Sequence, residues 1–448
     1  MGRYILLLGV FLSFCVQVFS ADVHVRGYNF SSSDGNITIQ KETAVNEFNQ
    51  EVEKIVQIDQ EGFFEVTLQI SKPEFWSVEG ASLFLVPGEN LDITFDKGTH
   101  IYSFKGKTMD ECTFLSANRN NIYVDLSFLD GGKNVRESFE ETKKVIDAIG
   151  AEKLSALTQT AGLDENFVKI QINSIKAHWV NSYLNYYMFS KDYEQDGMGN
   201  EYKTESGRKF IESIRELVEP VIKDVVADSY IDLFDIRWVV DRCMKDGLTS
   251  FPEKSIWVEL YTVKSFLKKF QDGVSSELIS EARERLATLT REDFALILKP
   301  AIEKVEILQS GKPAIDLRLE DVDGKEVNLS DYKGKLIYLD FWATWCGPCK
   351  KEYPFFIKLK EKYEDVIFIS ISTDRKRESW LKAMQRKEKT DVLQYHASRE
   401  NTLSQLIEWN ISLIPRFILI DKDFNIVDAF APRPSDEGIE PLLNKLLN

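Results

Sequence analysis

The spacing of apolar residues changes twice along the chain, and each change predicts a different kind of element. From Asp22 to about Asp110 the period is two. Every second residue of Phe64-Glu-Val66-Thr-Leu68-Gln-Ile70 is apolar, and Leu91-Asp-Ile93-Thr-Phe95 repeats the pattern. Alternation of this kind turns one face of a strand to a core and the other to water. Pro87-Gly88, between Leu83-Phe-Leu-Val86 and Leu91, supplies turn chemistry between two strands. The expectation is a small antiparallel, β-sandwich-like domain over residues 22–115.

From about Val135 to Gln309 the period lengthens. Val168, Ile172, Ile175, Trp179, Tyr183 and Tyr186 advance by threes and fours, as do Ile256, Leu260, Val263, Leu267 and Phe270. Each set lies on one helical stripe, which predicts a helical middle domain over residues 120–308. The aromatic run from His178 and Trp179 through Tyr183, Tyr186, Tyr187 and Phe189 is read as core rather than groove, because a buried helix face needs such a stripe. A boundary falls near Ser310-Gly-Lys-Pro313. Beyond it, Leu317-Arg-Leu319 and Val327-Asn-Leu329 flank Asp323-Gly324 as a hairpin. Leu336–Phe341, Val366–Ile371 and Phe417–Ile420 read as buried strands, with a helix from Lys350 to Tyr363. Strands alternating with helices imply an α/β sheet over residues 310–448, so the whole chain is expected to be multidomain α+β.

Composition narrows the function. The 448 residues are 43% apolar and 29% charged, enough to build cores and too apolar for a disordered chain. A net charge of -16, from 72 acidic against 56 basic residues, repels phosphate backbones, and nucleic acid is excluded as a partner. At the N-terminus Arg3 precedes an apolar run from Tyr4 to Val16 and small residues before Ala21. This pattern predicts a secretory signal over residues 1–20 cleaved after Ser20, and an extracytoplasmic, oxidising setting with no membrane span in the mature chain. Acylation of Cys15 is disfavoured because bulky Phe14 precedes it. Cys112 and Cys243 are either bridged or two buried free thiols.

The strong chemical signal is Trp345-Cys346-Gly347-Pro348-Cys349-Lys350, directly after a buried strand and opening a helix. Two residues between cysteines at a helix start bring both sulfurs within disulfide reach. Pro348 suits the first turn, where its missing N–H costs nothing. Cys346 would meet unpaired backbone N–H groups and the positive end of the helix dipole, which favour its thiolate. Cys349, one turn further in, would be shielded and able to resolve a mixed disulfide. Zinc would need a second ligand pair, which the scattered histidines do not supply, and a purely structural bridge across so short a loop would stabilise little. No cofactor beyond a redox-active Cys346–Cys349 disulfide is expected.

Asp340-Phe-Trp-Ala-Thr-Trp-Cys-Gly-Pro-Cys-Lys350 resembles the active-site segment of thioredoxins. With Gly334-Lys335 before it and Lys351-Glu-Tyr-Pro354 after it, the pattern resembles the secreted TlpA/ResA-like thiol-disulfide oxidoreductases. Pro313 to Leu329 resembles their entry hairpin, and Pro415-Arg-Phe-Ile-Leu-Ile-Asp421 their second active-site segment. Pro87-Gly-Glu-Asn-Leu-Asp-Ile-Thr94 is more loosely similar to the β domain that bacterial envelope thioredoxins often carry. The resemblance implies a thioredoxin-like C-terminal domain that exchanges disulfides. It implies that Asp340 is a buried carboxylate able to take the resolving thiol's proton, that Glu352 helps set thiol acidity, and that Pro354 kinks the helix. Pro415 matches the family's cis-proline, which leaves the Ile414 backbone to pair with a substrate strand. Trp345, Gly347, Pro348, Ile414 and Pro415 then form the substrate-binding surface. Ile414 and Gly347-Pro348 look more like thioredoxin itself than like the TlpA/ResA branch, which often has Thr before the proline and a more acidic dipeptide, and this favours a reductant.

The implied partners are disulfide-containing envelope proteins and an upstream thiol electron donor, with self-association left open. Two other functions compete with this one. A thiol peroxidase of the peroxiredoxin kind would place Thr three residues before the reactive cysteine, where Ala343 stands. A partner-binding scaffold would give the leading role to the two-thirds of the chain that is not thioredoxin-like.

Overall fold

A computed structural model describes residues 20–448 apart from 49–51, 118–126, 191–204, 227–229, 252–253, 386–391 and 398. The expected signal, Ser20 excepted, and Cys15 lie outside the described residues. The chain divides into two compact units, residues 1–257 and 258–448.

In the first unit the alternating segments form β1 (Ala21–Tyr28), β2 (Asn36–Lys41), β3 (Glu53–Gln57), β4 (Phe64–Ile70), β5 (Glu74–Val78), β6 (Ala81–Leu85), β7 (Leu91–Asp96) and β8 (Ile101–Gly106). They make two four-stranded sheets, β4-β1-β7-β8 and β3-β2-β5-β6. Their inward residues share one core: Val23 and Val25, Ile37 and Ile39, Leu68 and Ile70, Leu83 and Leu85, Leu91 and Ile93. One pairing departs from the antiparallel expectation, since β1 runs parallel to β7 with Val25 opposite Leu91. Pro87-Gly88, with Gly88 at φ 77, carries the chain out of one sheet and into the other. A connection that changes sheets does not impose the antiparallel order of a hairpin.

A helix, α1 (Met109–Ala117), closes the stretch expected to be strand, and the longer-period region forms α2 (Phe139–Gln159), α3 (Glu165–Phe189), α4 (Glu205–Ser213), α5 (Arg215–Val225), α6 (Phe234–Lys245), α7 (Ile256–Asp272), α8 (Ser276–Leu286) and α9 (Glu292–Glu306). Asp164 caps α3 by accepting from the N–H groups of Asn166 and Phe167. Tyr183, Tyr186 and Tyr187 of α3 are buried, as a core stripe requires, His178 and Trp179 are half-buried, and Phe189 at the end of the run is exposed, against the expectation that it is core. Cys112 and Cys243 are free and buried, and burial pushes both thiols up to about 12. Among the described residues no helix is long and apolar enough to cross a membrane.

The second unit contains α7 from Val258 onward, α8 and α9, followed by a seven-stranded sheet. Its strands are β9 (Arg318–Glu320), β10 (Glu326–Asn328), β11 (Leu336–Trp342), β12 (Val366–Ser372), β13 (Leu393–His396), β14 (Arg416–Ile420) and β15 (Ile426–Asp428). Their order is β10-β9-β13-β12-β11-β14-β15. The helices of this part are α10 (Gly347–Lys362), α11 (Arg377–Met384), α12 (Arg399–Glu408) and α13 (Ile439–Leu447). Central β11 is buried along its whole length and runs parallel to β12 and antiparallel to β14. Its residues alternate between two cores. Ile337, Leu339 and Phe341 pack with Leu406 and Trp409 on one face, and Leu336 and Tyr338 with Phe356 and Leu359 of α10 on the other. This is a thioredoxin-like α/β sheet between helical layers, with α10 leaving directly from the central strand.

Candidate active site

The chain leaves β11 at Trp342, turns through Ala343, Thr344 and Trp345, and enters α10 at Gly347. Cys346 is the N-cap residue, extended at φ -79 and ψ 102, with Pro348 in the first turn. Its sulfur accepts the Cys349 backbone N–H at 3.2 Å, one of the helix-start donors that have no intrahelical partner. The two cysteines are joined as a disulfide, with their Cα atoms 5.4 Å apart. A thiolate released at Cys346 therefore forms where a backbone donor and the positive end of the helix already point.

The difference between the two sulfurs lies in position on the helix, not in exposure. Cys346 is 3% exposed and Cys349 4% exposed in the disulfide, against the expected contrast of an open and a shielded thiol. Trp342, Ala343 and Trp380 pack around both, with Ile414 against the same cluster. The rim is open: Trp345 is 73% exposed, Pro348 is exposed, and a side chain added at Gly347 would meet nothing within 4 Å. The Ile414-Pro415 bond is cis, with both residues half-buried and Leu413 before them exposed. Antiparallel pairing sets Arg416 opposite Phe341, so β14 begins beside the end of the strand that delivers the cysteines.

Asp340 and Glu352 both enter the layer between β11 and α10. On β11, Asp340 has the parity of Tyr338, which packs under Phe356, and of Trp342, which packs with the sulfurs. It is buried and accepts from the Ser370 hydroxyl at 3.0 Å. Glu352 lies on the buried stripe of α10 between Cys349 and Phe356. Its carboxylate accepts from the backbone N–H and hydroxyl of Ser435, at 3.2 and 3.0 Å, with Arg433 at 3.9 Å. Both carboxylates act on Tyr338, whose hydroxyl is pushed well up by burial and then by these charges, and which donates to the Pro432 carbonyl at 2.6 Å. Glu352 is thus tied to the loop before α13, a restraint that its spacing from Cys349 does not reveal.

A second set of residues was not foreseen. Asp374, just past β12, is buried, and its carboxylate accepts from the backbone N–H and hydroxyl of Thr344, the hydroxyl at 2.6 Å. Ser372 donates to the same carboxylate at 2.7 Å, and the Asp374 carbonyl meets His396 Nε2 at 2.8 Å. The His396 ring stacks on Trp380, which packs on the disulfide. The available signal was a carboxylate immediately beyond the C-terminal end of a buried parallel strand, where open α/β sheets gather their sites.

Comparison with known proteins bears on this region. Residues 309–446 match the Redoxin family. The thiol-disulfide oxidoreductase ResA of Bacillus cereus is 32% identical over 143 residues, which span 32% of this chain and 80% of that protein. Among solved structures, the thioredoxin domain of a thiol-disulfide oxidoreductase from Bacteroides vulgatus is 29% identical, covering 32% of this chain and 99% of that one at a TM-score of 0.29. A thiol:disulfide interchange protein from Bacteroides sp. is 32% identical, covering 27% and 80% at a TM-score of 0.26.

Proposed function

Because the chain belongs to the TlpA/ResA-like thiol-disulfide oxidoreductases, we propose that it works outside the cytoplasm as a reductant of protein disulfides. The observation that carries this reading is the Cys346 sulfur at the N-cap of α10, accepting the Cys349 N–H and already able to bond to the second sulfur.

In the reduced protein the Cys346 thiolate attacks one sulfur of a substrate disulfide. The substrate S–S bond breaks, one substrate sulfur leaves as a thiolate, and a mixed disulfide to Cys346 forms. Cys349 then loses its proton, to Asp340 in this reading, and attacks Cys346. The second substrate sulfur departs, so the substrate gains two electrons and Cys346–Cys349 closes. An external dithiol must restore the pair, and the two sulfurs are the whole redox centre. Trp345, Gly347, Pro348, Ile414 and Pro415 form the surface that meets the substrate. Glu352 steadies the start of α10 through Ser435 and tunes the sulfurs from one turn away.

Insulin reduction by the full chain, driven by a dithiol, tests the reading. Cys346→Ser is expected to abolish turnover, and Cys349→Ser to accumulate a mixed disulfide visible by mass. Turnover like the wild type in the Cys346 variant would remove the proposal.

A further inference from the structure

Arg416 follows Pro415 directly and opens β14, whose other residues, Phe417 to Ile420, are all apolar and buried. The arginine is itself 6% exposed. A buried cation needs compensation, and it comes from carbonyl groups and a ring. Nη1 donates to the Ala429 carbonyl at 3.1 Å. Nη2 donates to the Gln271 carbonyl at 3.3 Å and to that of Asn410 at 3.4 Å, and the guanidinium lies 3.6 Å from the centre of the Phe430 ring. Burial lowers its pKa to about 10, against the opposing pull of Asp428 and Asp272.

Gln271 and Phe270 lie in the last turn of α7, where carbonyls lack intrahelical partners and the helix dipole is negative. The Phe270 carbonyl is taken by Asn410 Nδ2 at 3.1 Å, from a residue in the left-handed region at φ 53. Two orphan carbonyls of α7 are therefore satisfied by the two ends of the segment that carries Leu413, Ile414 and Pro415. The helix end and the wall beside the disulfide share one set of bonds.

We propose that Arg416 is a positioning residue: with Asn410 it fixes the Leu413–Pro415 segment to the last turn of α7, and so sets how a substrate strand docks beside Cys346. The helical segment before the sheet is on this account part of the substrate-binding apparatus. The inference rests on the disulfide-exchange reading of Cys346 and Cys349.

The test uses the full chain with insulin as substrate. Arg416→Gln, which removes the charge from the contacts to the Ala429, Gln271 and Asn410 carbonyls, is expected to raise KM roughly tenfold, with kcat changed less than about twofold. The midpoint potential of the Cys346–Cys349 pair against glutathione stays where it was, and Arg416→Lys recovers part of the KM. Asn410→Ala, which removes one neutral bond, raises KM by a smaller factor, and hydrogen exchange then finds residues 268–273 and 412–416 losing protection together. An unchanged KM in folded Arg416→Gln, or kcat falling in step with the folded fraction, overturns the proposal. Should that variant not fold, Asn410→Ala decides: unchanged KM with protection lost in one segment only overturns it. If the wild-type protein reduces no insulin, the exchange reading has failed, and the joint or separate loss of protection still decides whether the two segments are coupled.

Discussion

Asp374 holds Thr344 by both its backbone N–H and its hydroxyl, and Thr344 stands two residues before Cys346. The bonds go to a buried carboxylate, so each is worth more than a neutral surface bond. Removing the carboxylate frees the turn that aims the first sulfur. Asp374→Ala is expected to lower insulin turnover about tenfold while the protein stays folded, and Asp374→Asn, which keeps one acceptor oxygen, to recover part of it. Equal activity in wild type and the alanine variant would assign the network to stability alone. Sequence spacing makes the cysteines legible, because two residues between them at a helix start leave little freedom. It does not reveal Asp374, Trp380 or His396, since a carboxylate or ring contributed from another strand or helix has no fixed spacing to the motif it supports.

Among the elements, α2 and α3 pack through a glycine. A Cβ at Gly150 would stand 2.4 to 2.7 Å from ring carbons of Trp179. That ring has little room to move, because its Nε1 donates to Asp147 at 2.9 Å and to the Tyr183 hydroxyl at 2.7 Å. Alanine gains about 1 kcal/mol of helix propensity over glycine, whereas overpacking of this kind costs about 1–3 kcal/mol. Gly150→Ala is therefore expected to destabilise the first unit by up to about 2 kcal/mol, read as a lower urea midpoint. A raised midpoint would mean that the helices slide apart freely. The elements themselves were legible where the pattern was long or wholly apolar, as in α3, α7, β11 and β12. The four-residue β13, three-residue β15 and short α11 were not, because so few residues carry no measurable period.

Across the whole molecule, the first unit joins strand and helix regions through half-buried acids. Glu42, just after β2, accepts the backbone N–H of Phe234 at the start of α6 at 2.6 Å, and Asp232 accepts from Thr43 and Ala44. Burial, reinforced by the nearby Asp235, pushes the Glu42 carboxyl up from 4.5 to about 7. A carboxyl with a raised folded value leaves stability intact below about 4.5 and withdraws it as pH climbs to about 7, because the unfolded chain ionises first. Glu42→Gln should then unfold at a higher temperature than wild type at pH 8 and at the same temperature at pH 4. The gap is of order 1–2 kcal/mol, below the full shift because the carboxylate keeps some contact with water. Identical pH profiles for the two proteins would show the cluster to be electrostatically silent.

The sequence by itself determined the periods, and with them the order of strand, helix and α/β regions, together with the cysteine pair, because both are written in neighbours a few residues apart. Only the tertiary structure decided the parallel pairing of β1 with β7, the equal burial of the two sulfurs, the tie of Glu352 to Ser435 and the capping of α7 by Arg416 and Asn410. Each of these depends on which distant segments come to lie side by side, and burial and orphaned backbone groups, which exist only once the chain has closed, select the partner.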